Sequence, residues 1–207
     1  TVNFNKKPYD SFSGFYGSFS TYGSFSYLKY GPLRLFSQLA QDSELKVGKV
    51  IWVVGHSGPE TAEDSRTHYG IFAPGVTQLF PNGSIINLHP WEYNEVAPTL
   101  SAALKTNTPI IAIHLTRPPI VIPDRVKLDI DHYKNSAKGA YIIKNYDNKK
   151  PKEGVVIIRG TSPINSLIQI LPKLKESGPN IKIVAAISMD LFKMQTREYQ
   201  ESIISTS

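Results

Sequence analysis

Cysteine is absent from all 207 residues. That excludes disulfide frameworks, Cys-ligated zinc, iron–sulfur clusters and thiol nucleophiles together, and it accords with a reducing compartment. Long apolar runs are missing as well. The longest, "PIIAIHLTRPPIVIP", is interrupted by His114, Arg117 and several prolines, which rules against a spanning helix. The opening residue is Thr1, and neither a basic n-region nor an apolar h-region follows it. No signal peptide is expected, the sequence is expected to begin inside a longer protein, and a soluble, cytoplasmic chain with no membrane partner is the reading. No nucleic-acid recognition motif accompanies the net charge of +6 or the pI near 9.3, and nucleic acid is not the expected partner. The clearest cationic cluster, "KNYDNKKPKEG" at 144–154, reads as a solvated linker. A mild positive field suits small anions such as sugar phosphates.

What is present is a 41% hydrophobic chain, enough for one core and part of a second. Residues 11–31, "SGFYGSFSTYGSFSYLKYG" with its flanks, are almost all Gly, Ser and aromatic. They look low in complexity, yet Tyr16, Phe19, Tyr22, Phe25 and Tyr27 are costly to leave in water, so a pocket wall is expected. From Pro32, Leu33, Phe36, Leu39 and Ala40 recur at helical spacing, predicting a helix from Pro32 toward Gly48. "KVIWVVG", "GSIINLHP" and "PIIAIHLT" read as strands covered on both faces, with a helical stripe of Val96, Leu100 and Leu104 between the last two. This alternation predicts an α/β class: a three-layer domain with a mainly parallel sheet. "KGAYIIKNY" adds an extended segment. After the basic linker the unit restarts with "GVVIIRG", a helix capped at Ser162 with Pro163 at its first position and stopped at Gly178, and "NIKIVAAIS". Two strands and one helix are too few to close a core, so a first domain over 1–148 and an incomplete second over 149–207 are expected.

The chemistry gathers in "GHSGPETAEDSRTH", residues 55–68, hung on the end of a buried strand. A strand running into G-x-S resembles the start of a nucleophile elbow, but Pro59 stands where the elbow needs Gly and no apolar helix follows, so Ser57 is not read as a nucleophile. His56, Glu63, Asp64, His68 and His89 are conceivable metal ligands, but the histidines lack a close-spaced pair such as H-x-x-x-H, and no metal site is assigned. The third reading is a polar pocket lip. Ligands of open α/β sheets bind beyond the carboxyl ends of strands, where two imidazoles could contact hydroxyls or phosphate and move protons near neutral pH. On residue types alone, a pocket lip and a solvated loop stand level.

These residues resemble the transketolase family. The strand, the Glu-Asp pair and the Thr-His pair of residues 52–68 align in register with a transketolase loop in which His is followed by G-E-D-G-P-T-H. "NLHPWEYNEV" resembles the family's P-A-D-x-N-E, "IIAIHLTR" its I-I-A-L-S-R, and "KGAYII" its G-G-Y-V. "GVVIIRGTS" and "LFKMQTREYQESII" resemble the opening of its C-terminal domain. The resemblance implies a pyrimidine-binding middle domain over 1–148, the truncated start of the C-terminal domain over 149–207, and transfer of a two-carbon glycolaldehyde unit between sugar phosphates through thiamine diphosphate.

By that resemblance His68 and His56 are the catalytic candidates, and His56, Asp64, His68 and Arg117 bind substrate, with Arg117 clamping phosphate. Tyr22, Phe25, Tyr27 and Tyr30 are the candidates for packing on the cofactor's pyrimidine ring. Magnesium and diphosphate ligands are expected on an N-terminal domain or subunit that this chain lacks, and a homodimer is expected. Ser65 and Arg66 stand where the family has Gly and Pro. Residues 3–10 contain no Glu, whereas the family's catalytic Glu precedes the aromatic stretch, so the chain alone is expected to be inactive. The β-chain of a 2-oxo-acid dehydrogenase and a non-catalytic assembly module are the alternatives.

Overall fold

The computed structural model describes residues 2–3, 15–42, 46–55, 73–117 and 119–205. Among these, the strands in chain order are β1 (Val2–Asn3), β2 (Gly17–Tyr22), β3 (Lys46–Val47), β4 (Val50–Gly55), β5 (Ile85–Leu88), β6 (Ile110–His114), β7 (Ala140–Lys144), β8 (Gly154–Ile158) and β9 (Ile181–Ala186). The α-helices are α1 (Ser26–Asp42), α2 (Ala73–Thr77), α3 (Val96–Leu104), α4 (Thr161–Ser177), α5 (Met189–Lys193) and α6 (Arg197–Ile204). The fold is α/β with mixed sheets. Contacts divide the chain into two compact units, Thr1–Leu88 with Ala103–Pro118, and His89–Ala102 with Pro119–Ser207. The expected division at 148 falls within the second unit.

In the first unit the sheet runs β2-β4-β6-β5 with every pairing parallel, as the apolar, β-branched composition of β4, β5 and β6 predicts. Its core joins Trp52, Val54, Ile85, Ile110 and Ala112 from the strands to Leu33 of α1 and Phe80. The aromatic Gly/Ser stretch is an edge strand as well as a turn. In β2, Phe19 and Thr21 face inward at alternate positions and Phe19 stacks on Trp52 with centroids 6.0 Å apart. The α1 helix begins six residues before the expected Pro32, because Tyr30 extends the apolar stripe one turn back from Leu33. Pro32 is exposed within the helix and costs it one backbone N–H. The helix ends at Asp42, short of the expected Gly48.

The second unit holds the sheet β7-β9-β8, with β7 antiparallel and β8 parallel to β9. Alternation along β9 splits its side chains between two clusters: Ile183 and Ala185 join Tyr141, Ile143, Ile164 and Leu171, whereas Val184 joins Ala140, Phe192 and Ile203. Strands β8 and β9 share their sheet and core with a segment from before the basic linker. Central β9 pairs with β7, from the far side of the basic linker, and Trp91 and Ile130 complete the cluster. Helix α4 starts at Thr161 with Gly160 at its N-cap, two residues earlier than expected, and Gly178 ends it as expected. Gly139 is obligatory. At φ 89° it closes the 3₁₀ turn Tyr133–Lys138, its carbonyl accepts from the N–H of Ile187 at 2.8 Å and of Ser188 at 2.7 Å, and an added Cβ would collide with backbone of Ser188 and Phe192.

Candidate functional site

Because all four strands of the first sheet are parallel, their carboxyl ends share one edge. Register makes this concrete: Tyr22 lies opposite Gly55, Val54 opposite His114, and Leu88 opposite Ile113. At that edge the chain leaves β2 into the 3₁₀ turn Gly23–Phe25, leaves β4 at Gly55 toward residues 56–72, and leaves β6 toward Arg117. This is where open parallel sheets take ligands. Pairing continues one step beyond β6, since the Leu115 N–H donates to the Val54 carbonyl at 2.9 Å. His114 is buried, with Nε2 3.2 Å from Asn87 Oδ1. At the opposite edge the buried Lys49 ammonium donates to the carbonyls of Thr106 and Thr108, and burial lowers its pKa.

The structure brings Tyr22 and Phe25 together, edge to face, with centroids 6.2 Å apart. Tyr27, in the first turn of α1, is exposed, and Arg117 is exposed just past β6. Tyr30 instead turns into the core, edge to face with Phe80 at 5.3 Å. His56, Ser57, Glu63, Asp64, Ser65, Arg66 and His68 lie outside the described residues. His89 is described, its N–H donating to the Ile187 carbonyl at 2.7 Å, and no group of three or more His, Asp or Glu able to hold a metal occurs among the described residues.

The most perturbed ionisable groups lie in the second unit. The Arg125 guanidinium donates from Nε and Nη2 to Glu92 Oε1 at 3.2 and 2.9 Å, and from Nη2 to Glu95 Oε1 at 2.9 Å. Its Nη1 donates to the Asp131 carbonyl at 2.8 Å and to the Tyr141 hydroxyl at 3.1 Å. That hydroxyl donates to Glu95 Oε1 at 2.6 Å and accepts from Trp91 Nε1 at 2.7 Å. Every one of arginine's five N–H donors and every site on the tyrosine oxygen is used. Burial lifts the Glu95 carboxyl from its usual 4.5 to about 7 against the opposing pull of Tyr141 and Arg125, and burial together with Glu95 pushes Tyr141 well above 10. A strongly shifted carboxyl can mark a catalytic acid. Here the group is 0% exposed and fully engaged by its neighbours, so the cluster is a lock joining the Trp91–Glu95 segment, the turn at 125–131 and β7. Motif reading passes over it. The signal was present as E-x-x-E at Glu92 and Glu95 opening an apolar helix, but the partner Arg125 sits in aperiodic sequence.

No family model matches the chain. Against individual proteins, it is 30% identical over 167 residues to the chloroplastic transketolase of Solanum tuberosum, covering 80% of this chain and 21% of that protein. It is 26% identical over 168 residues to transketolase 2 of Escherichia coli, covering 81% of this chain and 24% of the relative. Over most of its length the chain is homologous to transketolases. It spans about a fifth to a third of the relatives it matches. The same family appears among solved structures: the Pichia stipitis transketolase in complex with sedoheptulose 7-phosphate superposes with a TM-score of 0.70 at 22% identity, covering 91% of this chain and 25% of that one. A Leishmania mexicana transketolase gives 0.70 at 17% identity. At these identities the structural likeness establishes the fold.

Proposed function

We propose that the chain is the pyrimidine-binding domain, over 1–148, and the start of the C-terminal domain, over 149–207, of an enzyme that transfers a glycolaldehyde unit from a ketose phosphate to an aldose phosphate with thiamine diphosphate. The similarity to transketolases over four-fifths of the chain carries this reading. The geometry supports it: Tyr22 and Phe25 offer an aromatic pair at the carboxyl edge of a parallel sheet, the kind of surface a pyrimidine ring stacks on. Thiamine diphosphate, when bound, supplies the carbanion chemistry. This chain's part is to seat the ring with Tyr22 and Phe25, with Tyr27 as the remaining candidate, since Tyr30 packs on Phe80 in the core. His56, Asp64 and Arg117 hold hydroxyls and phosphate, and His68 moves a proton at the substrate oxygen. Gly55 and Arg117 leave the sheet at the same edge, which supports one shared pocket. Magnesium and diphosphate ligands, a homodimer partner and a cytoplasmic setting belong to the same proposal and lie outside this chain.

The test is made on the protein isolated from its source with its partner chains. Intact mass and thiamine-diphosphate-dependent glycolaldehyde transfer are measured together. Transfer that requires added thiamine diphosphate and magnesium supports the reading; an assembly that binds the cofactor yet transfers nothing, or does not bind it, overturns it.

A further inference from the structure

The turn that leads into β5 sets an amide carbon next to a backbone nitrogen that can attack it. Its sequence, Pro81-Asn82-Gly83-Ser84, contains the one Asn-Gly step of the chain. The Ser84 N–H donates to the Pro81 carbonyl at 3.1 Å, and the Ser84 hydroxyl donates to the same carbonyl at 2.7 Å. Gly83 has φ 82° whereas Asn82 keeps a negative φ, the combination of a type II turn, which favours a residue without Cβ at 83. The fold itself therefore asks for glycine directly after Asn82.

Asn82 and Gly83 are both exposed, and neither the Asn82 amide nor the Gly83 N–H has a hydrogen-bond partner among the described residues. A Cβ added at Gly83 would meet nothing within 4 Å, so no neighbour crowds the backbone there. The bonds that close the turn run from Ser84 to Pro81 and place no restraint on the 82–83 peptide. Asn180 is the contrast. Its Nδ2 donates to the carbonyls of Asp147, Lys150 and Pro151, its Oδ1 accepts from the Asp147 N–H, and β-branched Ile181 follows it.

We propose that Asn82 is a self-modification site, converted in the folded chain to a mixture of aspartate and isoaspartate, and that the isoaspartate loosens the first unit. The deprotonated Gly83 nitrogen attacks Asn82 Cγ, the new N–C bond closes a succinimide ring, and the side-chain nitrogen takes a proton from water and leaves as ammonia. Water then opens the ring at either carbonyl. One opening gives aspartate; the other leaves the backbone running through the former side chain, one methylene longer, with a free α-carboxylate. Either product puts a negative charge where a neutral amide stood. The longer backbone has little slack to enter, because Phe80 and Ile85 on the two sides of the turn are both anchored in the first core. Isoaspartate at 82 thus strains the bonds from Ser84 to Pro81 and frees the start of β5. Its α-carboxylate is the group that an isoaspartate-specific methyltransferase recognises, so a repair enzyme of that class is the partner this turn would engage.

The test incubates the folded 207-residue chain at pH 6 and pH 8 beside a synthetic peptide of residues 79–86, which sets the rate without a fold. Peptide mapping by mass spectrometry reads the exchange of NH for O at each asparagine. Methyl transfer from labelled S-adenosylmethionine by an isoaspartate methyltransferase counts the isoaspartate. Conversion at Asn82 is expected to rise in proportion to hydroxide, with Asn180 intact and with the methyl label lost in Asn82→Gln, whose longer side chain closes its ring far more slowly. The isoaspartate fraction, separated by ion exchange, is expected to melt below the unaged chain. An Asn82 that stays intact while the peptide converts, a label that persists in Asn82→Gln, or an isoaspartate fraction that melts with the unaged chain would overturn the proposal.

Discussion

Arg125→Met removes five N–H donors from a place where Glu92 is 4% and Glu95 0% exposed. Withdrawing one partner from a buried ion pair leaves the other charge uncompensated, at a typical cost of about 3–5 kcal/mol. The cost should depend on pH, because Glu95 has an escape. Its pKa already stands at about 7, with Arg125 among the forces holding it down, and loss of the guanidinium moves it further up. At pH 5 Glu95 carries a proton with or without Arg125, and the variant loses Glu92's partner and the bonds to Tyr141 and Asp131. At pH 8 the intact protein keeps Glu95 largely ionised beside Arg125, and the variant must bury that charge alone or take up a proton. The expected loss is therefore about 3–5 kcal/mol at pH 8 and smaller by about 1 kcal/mol or more at pH 5. For a unit of about 100 residues, with roughly 4–8 °C per kcal/mol, the pH 8 loss lowers the melting temperature by about 12 °C or more. Urea unfolding followed by circular dichroism gives the loss, and hydrogen exchange at β7 and β9 amides locates it. A loss under about 1 kcal/mol at pH 8, or an equal loss at both pH values, would refute the picture of a dry, fully paired lock.

Four further outcomes are expected. Since the folded Glu95 holds a proton between pH 4.5 and about 7 that the unfolded chain has released, stability falls as pH rises through that window, by about 3 kcal/mol; Glu95→Gln should flatten this slope, as urea midpoints at pH 5 and pH 8 would reveal. Gly139→Ala forces a Cβ into the backbone of Ser188 and Phe192 at a positive φ, and a loss of about 2 kcal/mol or more is expected in thermal unfolding. In the complete enzyme, His68→Ala should lower turnover by about 10²-fold or more, the usual loss for a positioned proton-transfer group, and unchanged turnover would return His68 to a solvated loop. Arg117→Gln should raise KM for phosphorylated donors about tenfold or more with little change for unphosphorylated ones, and an equal effect on both would remove it as a phosphate clamp.

The sequence by itself marked β4 to β9 and the α/β class, whereas β2 lay in a stretch that reads as a pocket wall. β4, β5, β6 and β9 are short apolar runs rich in β-branched residues, and such runs have few other ways to bury both faces. It also marked the edge where chemistry should gather, because polar Gly/Ser/His sequence directly after a buried strand has to emerge at the strand's carboxyl end. Tertiary structure decided what depends on partners distant in the chain. Phe19 became a core residue in an edge strand because Trp52, more than thirty positions on, offers it a stacking face, while Tyr22 one pleat later points outward. Tyr30 went to the core because Phe80 is there to receive it. β7 belongs to the second unit since β9, about forty residues later, is its hydrogen-bonding neighbour. Glu95, Arg125 and Tyr141 stand apart in the sequence, separated by 30 and 16 residues, and only long-range packing closes them into a buried cluster where charge and protonation become coupled. Local periodicity specifies which face of an element is apolar; it carries no record of which other element will cover that face.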